Sequence, residues 1–256
     1  MSTVSRVARW VRSVYREAES DGVHTLVRRV RASIMWHVGS DQRAVRAVEK
    51  DNRLFDERYG TRTAGEIPLT QLAVDAADAA RGNGVYRATP KALFDEAMGM
   101  VDADLSQYTF VDYGSGMGKV LLLAAAYPFR AVTGIESSSA LHAIALDNIQ
   151  KYERHLSVRH VTAACVDATE FLPPSTPLVC FFSNPFDRET WRRVLRTLES
   201  AWRNDVRPIT VVYVNIRNVN EVGDLFAEFR FLSEERRTRN VLVMSTRRAQ
   251  EGRENI

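Results

Sequence analysis

The most constraining stretch of this sequence is TFVDYGSGMGKVLLLAA, residues 109–125. An apolar run ends in an acid, Asp112, opens into glycines at 114, 116 and 118, and closes into a second apolar run of helical character. Strand, glycine turn and helix form the repeating unit of open α/β sheets, and ligands of such sheets gather where the turns collect.

The unit recurs downstream. Strands are predicted at 109–113, 131–136, 160–166, 177–183 and 209–215, with helices near 117–126, 138–152, 187–202 and 219–229 between them. Two further strands, about 229–234 and 240–246, follow with little room for a helix between them. Alternation closed by a hairpin predicts a mostly parallel sheet with one antiparallel strand near its edge. The chain has 256 residues, 45% of them hydrophobic, enough for one sizeable core.

The region before the core reads differently. Val4, Val7, Trp10, Val11, Val14 and Tyr15, and then Leu26, Val27, Val30, Ile34 and Trp36, recur at helical spacing among arginines. Such basic amphipathic helices fit first packing against the domain or another copy of it, and otherwise an anionic membrane surface or an acidic partner contacted through residues 1–50. From Phe55 the text FDERYGTRTAGEIPLTQL reads as an ordered loop, and Thr89 with Pro90 reads as the cap and first residue of a helix. The division expected is a basic helical extension over 1–54, a loop and helical lid over 55–108, and a core over 109–256.

Composition excludes several classes. The net charge of +3 is small for this length. No run of about 18 apolar residues predicts a membrane-spanning helix, and arginines interrupt the N-terminus too often for a signal peptide. Cys165 and Cys180 lie in apolar runs without paired spacing and read as reduced core thiols of a cytoplasmic protein. His24, His37, His142, His155 and His160 are scattered, so no metal site is expected. The arginine-rich, lysine-poor usage fits a GC-rich bacterial genome.

Spacing separates three cofactor loops. A dinucleotide loop G-x-G-x-x-G needs glycine at 119, where Lys119 stands; a phosphate loop needs glycine at Tyr113 and a hydroxyl at Val120. The pattern that remains is D-x-G-x-G-x-G. VDYGSGMGK resembles the first motif of class I S-adenosylmethionine (SAM) dependent methyltransferases. The resemblance implies a Rossmann-like seven-stranded sheet, to which the basic helices add a helical N-terminal extension, and SAM as cofactor. Gly114, Ser115, Gly116 and Gly118 would let backbone approach the ligand, and Asp112 would face its ammonium. It further implies Glu136, with Ser137, at the ribose hydroxyls, and Asp167, with the N–H of Ala168, at the adenine.

Two further stretches bear on the acceptor. FFSNPFD resembles the active-site motif of amino-group methyltransferases, which implies that Asn184 orients a nitrogen, Pro185 stiffens the turn and Phe186 walls the slot. Methylases of exocyclic base nitrogens usually read [DNS]-P-P-[FYW]; the second proline is missing here, so a protein or small molecule is favoured over nucleic acid. GVYRATPKALFDEAM resembles the segment before the first motif in non-SET protein lysine methyltransferases, implying that Tyr86 and Thr89 cover the methionine end of SAM. Residues 55–246 as a whole are similar to a bacterial class I methyltransferase family whose substrate is not settled. Asp187, Glu66 and a water are candidate proton acceptors. An oxygen acceptor and a SAM-binding adaptor without turnover are the competing readings.

Overall fold

The computed structural model describes residues 42–68, 85–158, 160–215 and 219–246. The amphipathic patterns of residues 4–15 and 26–36 lie outside them. The chain divides into two compact units, Met1–Glu49 and Lys50–Ile256. Of the first, only the start of helix α1 (Gln42–Tyr59) is described. This helix runs through position 55, where a loop was expected, and ends at Gly60 in a left-handed conformation.

A two-stranded antiparallel ribbon follows, β1 (Glu66–Pro68) with β2 (Val85–Arg87), then helix α2 (Lys91–Gly99). The Thr89 cap is not made. Pro90 itself stands at the cap position of α2, and the Thr89 hydroxyl donates instead to Ser183 Oγ at 2.9 Å.

The core sheet begins with β3 (Thr109–Tyr113), followed by α3 (Lys119–Ala124), β4 (Ala131–Glu136), α4 (Ser139–Tyr152), β5 (Val161–Cys165), β6 (Leu178–Ser183), α5 (Arg188–Asn204), β7 (Ile209–Val214), the short α6 (Asn220–Gly223), β8 (Leu232–Arg237) and β9 (Val241–Thr246). The strand order is β5-β4-β3-β6-β7-β9-β8. Pairs from β5 through β7 are parallel, and β9 runs antiparallel to both β7 and β8. This is the expected seven-stranded Rossmann-like sheet. Its order reverses between β3 and β6, the switch point at which open α/β sheets bind ligands.

The central strands are buried on both faces, which is why they read as continuous apolar runs. Alternate residues divide between two clusters. Phe110, Val179, Phe181, Val212 and Val243 pack with Phe94 and Met98 of α2 and Leu121 of α3. Val111, Tyr113, Phe182, Val211, Tyr213 and Leu242 pack with Trp191, Val194, Leu195 and Leu198 of α5. Those four residues of α5 sit at i, i+3, i+4 and i+7, so the helix buries a single stripe. Edge strand β8 is charged and irregular between Glu234 and Arg236, which discourages further pairing.

Several boundaries move for local reasons. Helix α3 starts at Lys119 rather than 117, because Gly118 is left-handed at φ 83°. The helix expected over 219–229 shrinks to α6 and a 3-10 turn at Leu225–Glu228, with Gly223 at the break. Cys180 is a buried core thiol, but Cys165 is exposed, since β5 is an edge strand. Among the described residues no helix is long and apolar enough to cross a membrane.

Candidate functional site

The crevice forms where the strand ends converge. The apolar run of β3 buries Asp112 to 2% exposure, in register with Gly134 of β4 and Phe181 of β6. Beyond it the chain turns sharply: the N–H groups of Gly114 and Ser115 both donate to the Ile135 carbonyl, at 2.8 and 2.9 Å. Gly114 and Gly116 hold φ of 80° and 54°, and each is also closely covered. A Cβ on Gly114 would lie 2.7 Å from Pro185 Cβ, and one on Gly116 would run into the Tyr86 ring. Glycine is required at both places by conformation and by space.

Glu136 ends β4 at 8% exposure. Its Oε2 accepts from the Gly116 N–H at 2.9 Å and its Oε1 from the Ser138 N–H at 2.8 Å. The carboxylate therefore shapes the glycine loop and the start of α4 as well as lining the crevice. Beyond β5, Asp167 accepts from the Thr169 N–H and hydroxyl, both at 2.7 Å, a turn that sets the following segment.

The turn after β6 is held from below. Asn184 is left-handed at φ 47°, a conformation that costs a non-glycine residue about 1 kcal/mol or more. Tyr213 donates its hydroxyl to Asn184 Oδ1 at 2.9 Å and accepts from Asn215 Nδ2 at 2.9 Å, so β7 fixes the amide. Phe186 packs edge-on against Phe182 and Trp191, with ring centroids 6.1 and 5.6 Å away.

Of the site residues expected from the sequence, all but Gly118 line this one crevice: Tyr86, Thr89, Asp112, Gly114, Ser115, Gly116, Glu136, Ser137, Asp167, Ala168, Asn184, Pro185 and Phe186. Gly118 instead caps α3, and a Cβ there would stand 3.1 Å from Ala145 Cβ. Neither nearby acid stands on the wall as a proton acceptor. Asp187 caps α5, accepting from the Thr190 N–H at 2.8 Å, and Glu66 is exposed, its Oε1 accepting from Arg87 Nε at 2.6 Å. Sequence reasoning missed Ser183, the partner of Thr89 on the wall, and Lys119. The signal for Ser183 was its place directly before Asn184-Pro185.

The electrostatics select for a cation. Burial, and then the charge of Glu136, hold the Asp112 carboxyl well above its ordinary range; burial also raises Glu136, against the pull of its backbone hydrogen bonds. Lys119 does not neutralise them. It is 2% exposed, its ammonium donates to Asn52 Oδ1 and lies 5.1 Å from the Phe55 ring, and burial lowers it to about 8. Ser115 Oγ is buried without a hydrogen-bond partner among the described residues. A ligand bearing an ammonium and several hydroxyls would satisfy the acids and the serine together. The donor and acceptor set thus fits SAM.

No protein-family model and no curated protein matches the chain. Among solved structures, it is similar to precorrin 8w decarboxylase from Methanobacterium thermoautotrophicum at 18% identity, with 63% of this chain and 92% of that one covered and a TM-score of 0.46. It is also similar to magnesium protoporphyrin IX methyltransferase from Synechocystis PCC 6803 with bound SAM, at 17% identity, with 60% and 77% covered and a TM-score of 0.43. A third is precorrin-6y C5,15-methyltransferase from Geobacter metallireducens, at 15% identity, with 63% and 90% covered and a TM-score of 0.44. These likenesses concern the fold alone.

Proposed function

We propose that this protein is a SAM-dependent methyltransferase acting on an amino group, that of a protein lysine or another amine. The observation that carries the reading is the pair of buried acids, Asp112 and Glu136, at the ends of adjacent strands beside a glycine loop that touches the Asn184-Pro185-Phe186 turn. In this reading Asp112 meets the methionine ammonium, Glu136 the ribose hydroxyls, and Asp167 with the Ala168 N–H the adenine. When bound, SAM supplies a methyl group already activated on a sulfonium.

The chain's own contribution is alignment and dryness. Asn184, fixed through Tyr213, offers amide and backbone oxygens to an incoming nitrogen, and Phe186 excludes water from one side. An amine in such a slot has its pKa lowered, which favours the neutral nucleophile. With Asp187 engaged as a helix cap and Glu66 paired with Arg87, both off the crevice wall, this reading has the amine give its proton to water before transfer. The absence of a second proline after Asn184 keeps base amines the less favoured acceptors.

The experiment is to incubate the protein with methyl-labelled SAM and a bacterial lysate, then separate protein, nucleic acid, lipid and small molecules. Label on amine nitrogen is expected. Label confined to oxygen would keep methyl transfer and overturn the amine acceptor.

A further inference from the structure

We propose that Asp56 is a positioning residue for the crevice: through the 61–64 loop it fixes Tyr86 against the glycine loop, so that residues 52–64 form part of the ligand-binding apparatus. This rests on the cofactor reading above. Nothing in the strand-end acids requires it.

The links run in sequence. Asp56 Oδ1 accepts from the Thr61 and Thr63 hydroxyls at 2.7 and 2.8 Å, and its Oδ2 from the Thr63 and Ala64 N–H groups at 2.8 and 2.7 Å. One carboxylate thereby dictates the path of the loop. The loop in turn presents the Thr63 carbonyl, which accepts the Tyr86 hydroxyl at 2.8 Å. That bond sets the ring, and the ring occupies the space where a Cβ on Gly116 would stand. Gly116 then donates its N–H to Glu136 Oε2. A side chain outside the crevice is thus connected, contact by contact, to a carboxylate that lines it.

Two ties independent of Tyr86 brace the same segment. Asn148 of α4, fully buried, accepts from the Arg62 N–H at 2.8 Å and donates to the Arg62 and Met117 carbonyls at 3.1 and 2.8 Å. Lys119 Nζ, one residue beyond the loop glycines, donates to Asn52 Oδ1. The segment is held at both ends, while Tyr86 is the contact that reaches the crevice wall. A loop held only for packing would not need to end there.

The test is a double-mutant cycle on S-adenosylhomocysteine affinity in the full chain, with Tyr86→Phe and Asp56→Asn. Tyr86→Phe keeps the ring and removes one hydrogen bond, so the melting midpoint should fall by only a few degrees while affinity falls about fivefold. The double variant should be little weaker than the weaker single one, because both act through one chain of contacts. A second readout covers the case in which Asp56→Asn does not fold. Hydrogen exchange at the Thr63 and Ala64 amides should slow when wild type is saturated with S-adenosylhomocysteine, and less so in Tyr86→Phe. Affinity and exchange unchanged in Tyr86→Phe would overturn the positioning role of Asp56 alone. Absence of binding by wild type would overturn the cofactor reading and that role with it.

Discussion

A Cβ placed on Gly114 would stand 2.7 Å from the Cβ of Pro185, so the glycine loop after β3 touches the turn after β6. The two motifs, 71 positions apart in sequence, meet at the reversal of strand order. In the proposed reading, the cofactor and acceptor sites therefore share a wall.

That contact makes Gly114→Ala a sensitive probe. The new methyl meets Pro185 and the backbone holds φ 80°, so a stability loss of about 1–3 kcal/mol is expected. Chemical denaturation measures it. A loss under about 0.5 kcal/mol would mean that the two turns part without cost.

The buried acids give a pH dependence of defined sign. Asp112 sits well above 3.8 and Glu136 above 4.5, so the folded chain binds more protons than the unfolded one between those ordinary values and the raised ones. Stability from this pair is fully present below the ordinary values and is lost as pH rises through the raised ones. Asp112→Asn should flatten that decline and leave the ligand-free protein more stable at pH 7, while weakening S-adenosylhomocysteine. Thermal melts across pH 4–8 decide it; a variant that tracks wild type throughout would remove Asp112 from the account.

At Glu136 two substitutions separate two roles. Glu136→Gln keeps one acceptor oxygen, whereas Glu136→Ala leaves the N–H groups of Gly116 and Ser138 both without their partner. The glutamine variant, whose NH2 faces one of the two N–H groups, should lose less stability than the alanine variant and bind about tenfold more weakly, while the alanine variant, with both N–H groups unpaired, should lose about 1–3 kcal/mol. Calorimetry paired with denaturation tests both, and equal stability of the two variants would contradict the structural role.

The sequence made the sheet legible because both of its faces are covered, so the central strands read as apolar runs and α5 as one apolar stripe. The strand-end acids were legible for a related reason, since an acid closing an apolar strand is conspicuous. The rest depends on contacts between distant segments. Asp56 looks like any acid of an exposed helix until the threonines at 61 and 63 fold back on it. Thr89 carried a cap-and-proline signature, yet its hydroxyl found Ser183, a partner that local pattern cannot reveal. Asp187 read as a candidate base because it adjoins the motif, and helix capping claimed it.

The Asn184 turn offers a test of acceptor positioning. Asn184→Gly should relieve the left-handed backbone and hold stability near wild type, and Tyr213→Phe should keep the ring among Trp191 and Phe226. Both should lower methyl transfer, by about tenfold or more, with S-adenosylhomocysteine affinity within a few-fold. Rates measured on the acceptor found by labelling decide it, and full activity in both variants would remove the turn from the chemistry.

The most direct test of the central claim is titration of the full chain with S-adenosylhomocysteine by calorimetry, repeated in buffers of different ionisation enthalpy. One site per chain is expected, and any proton exchanged on binding should be a release, because the ammonium favours the charged form of Asp112. No binding by wild type, or binding that Asp112→Asn and Glu136→Gln both leave unchanged, would contradict the account.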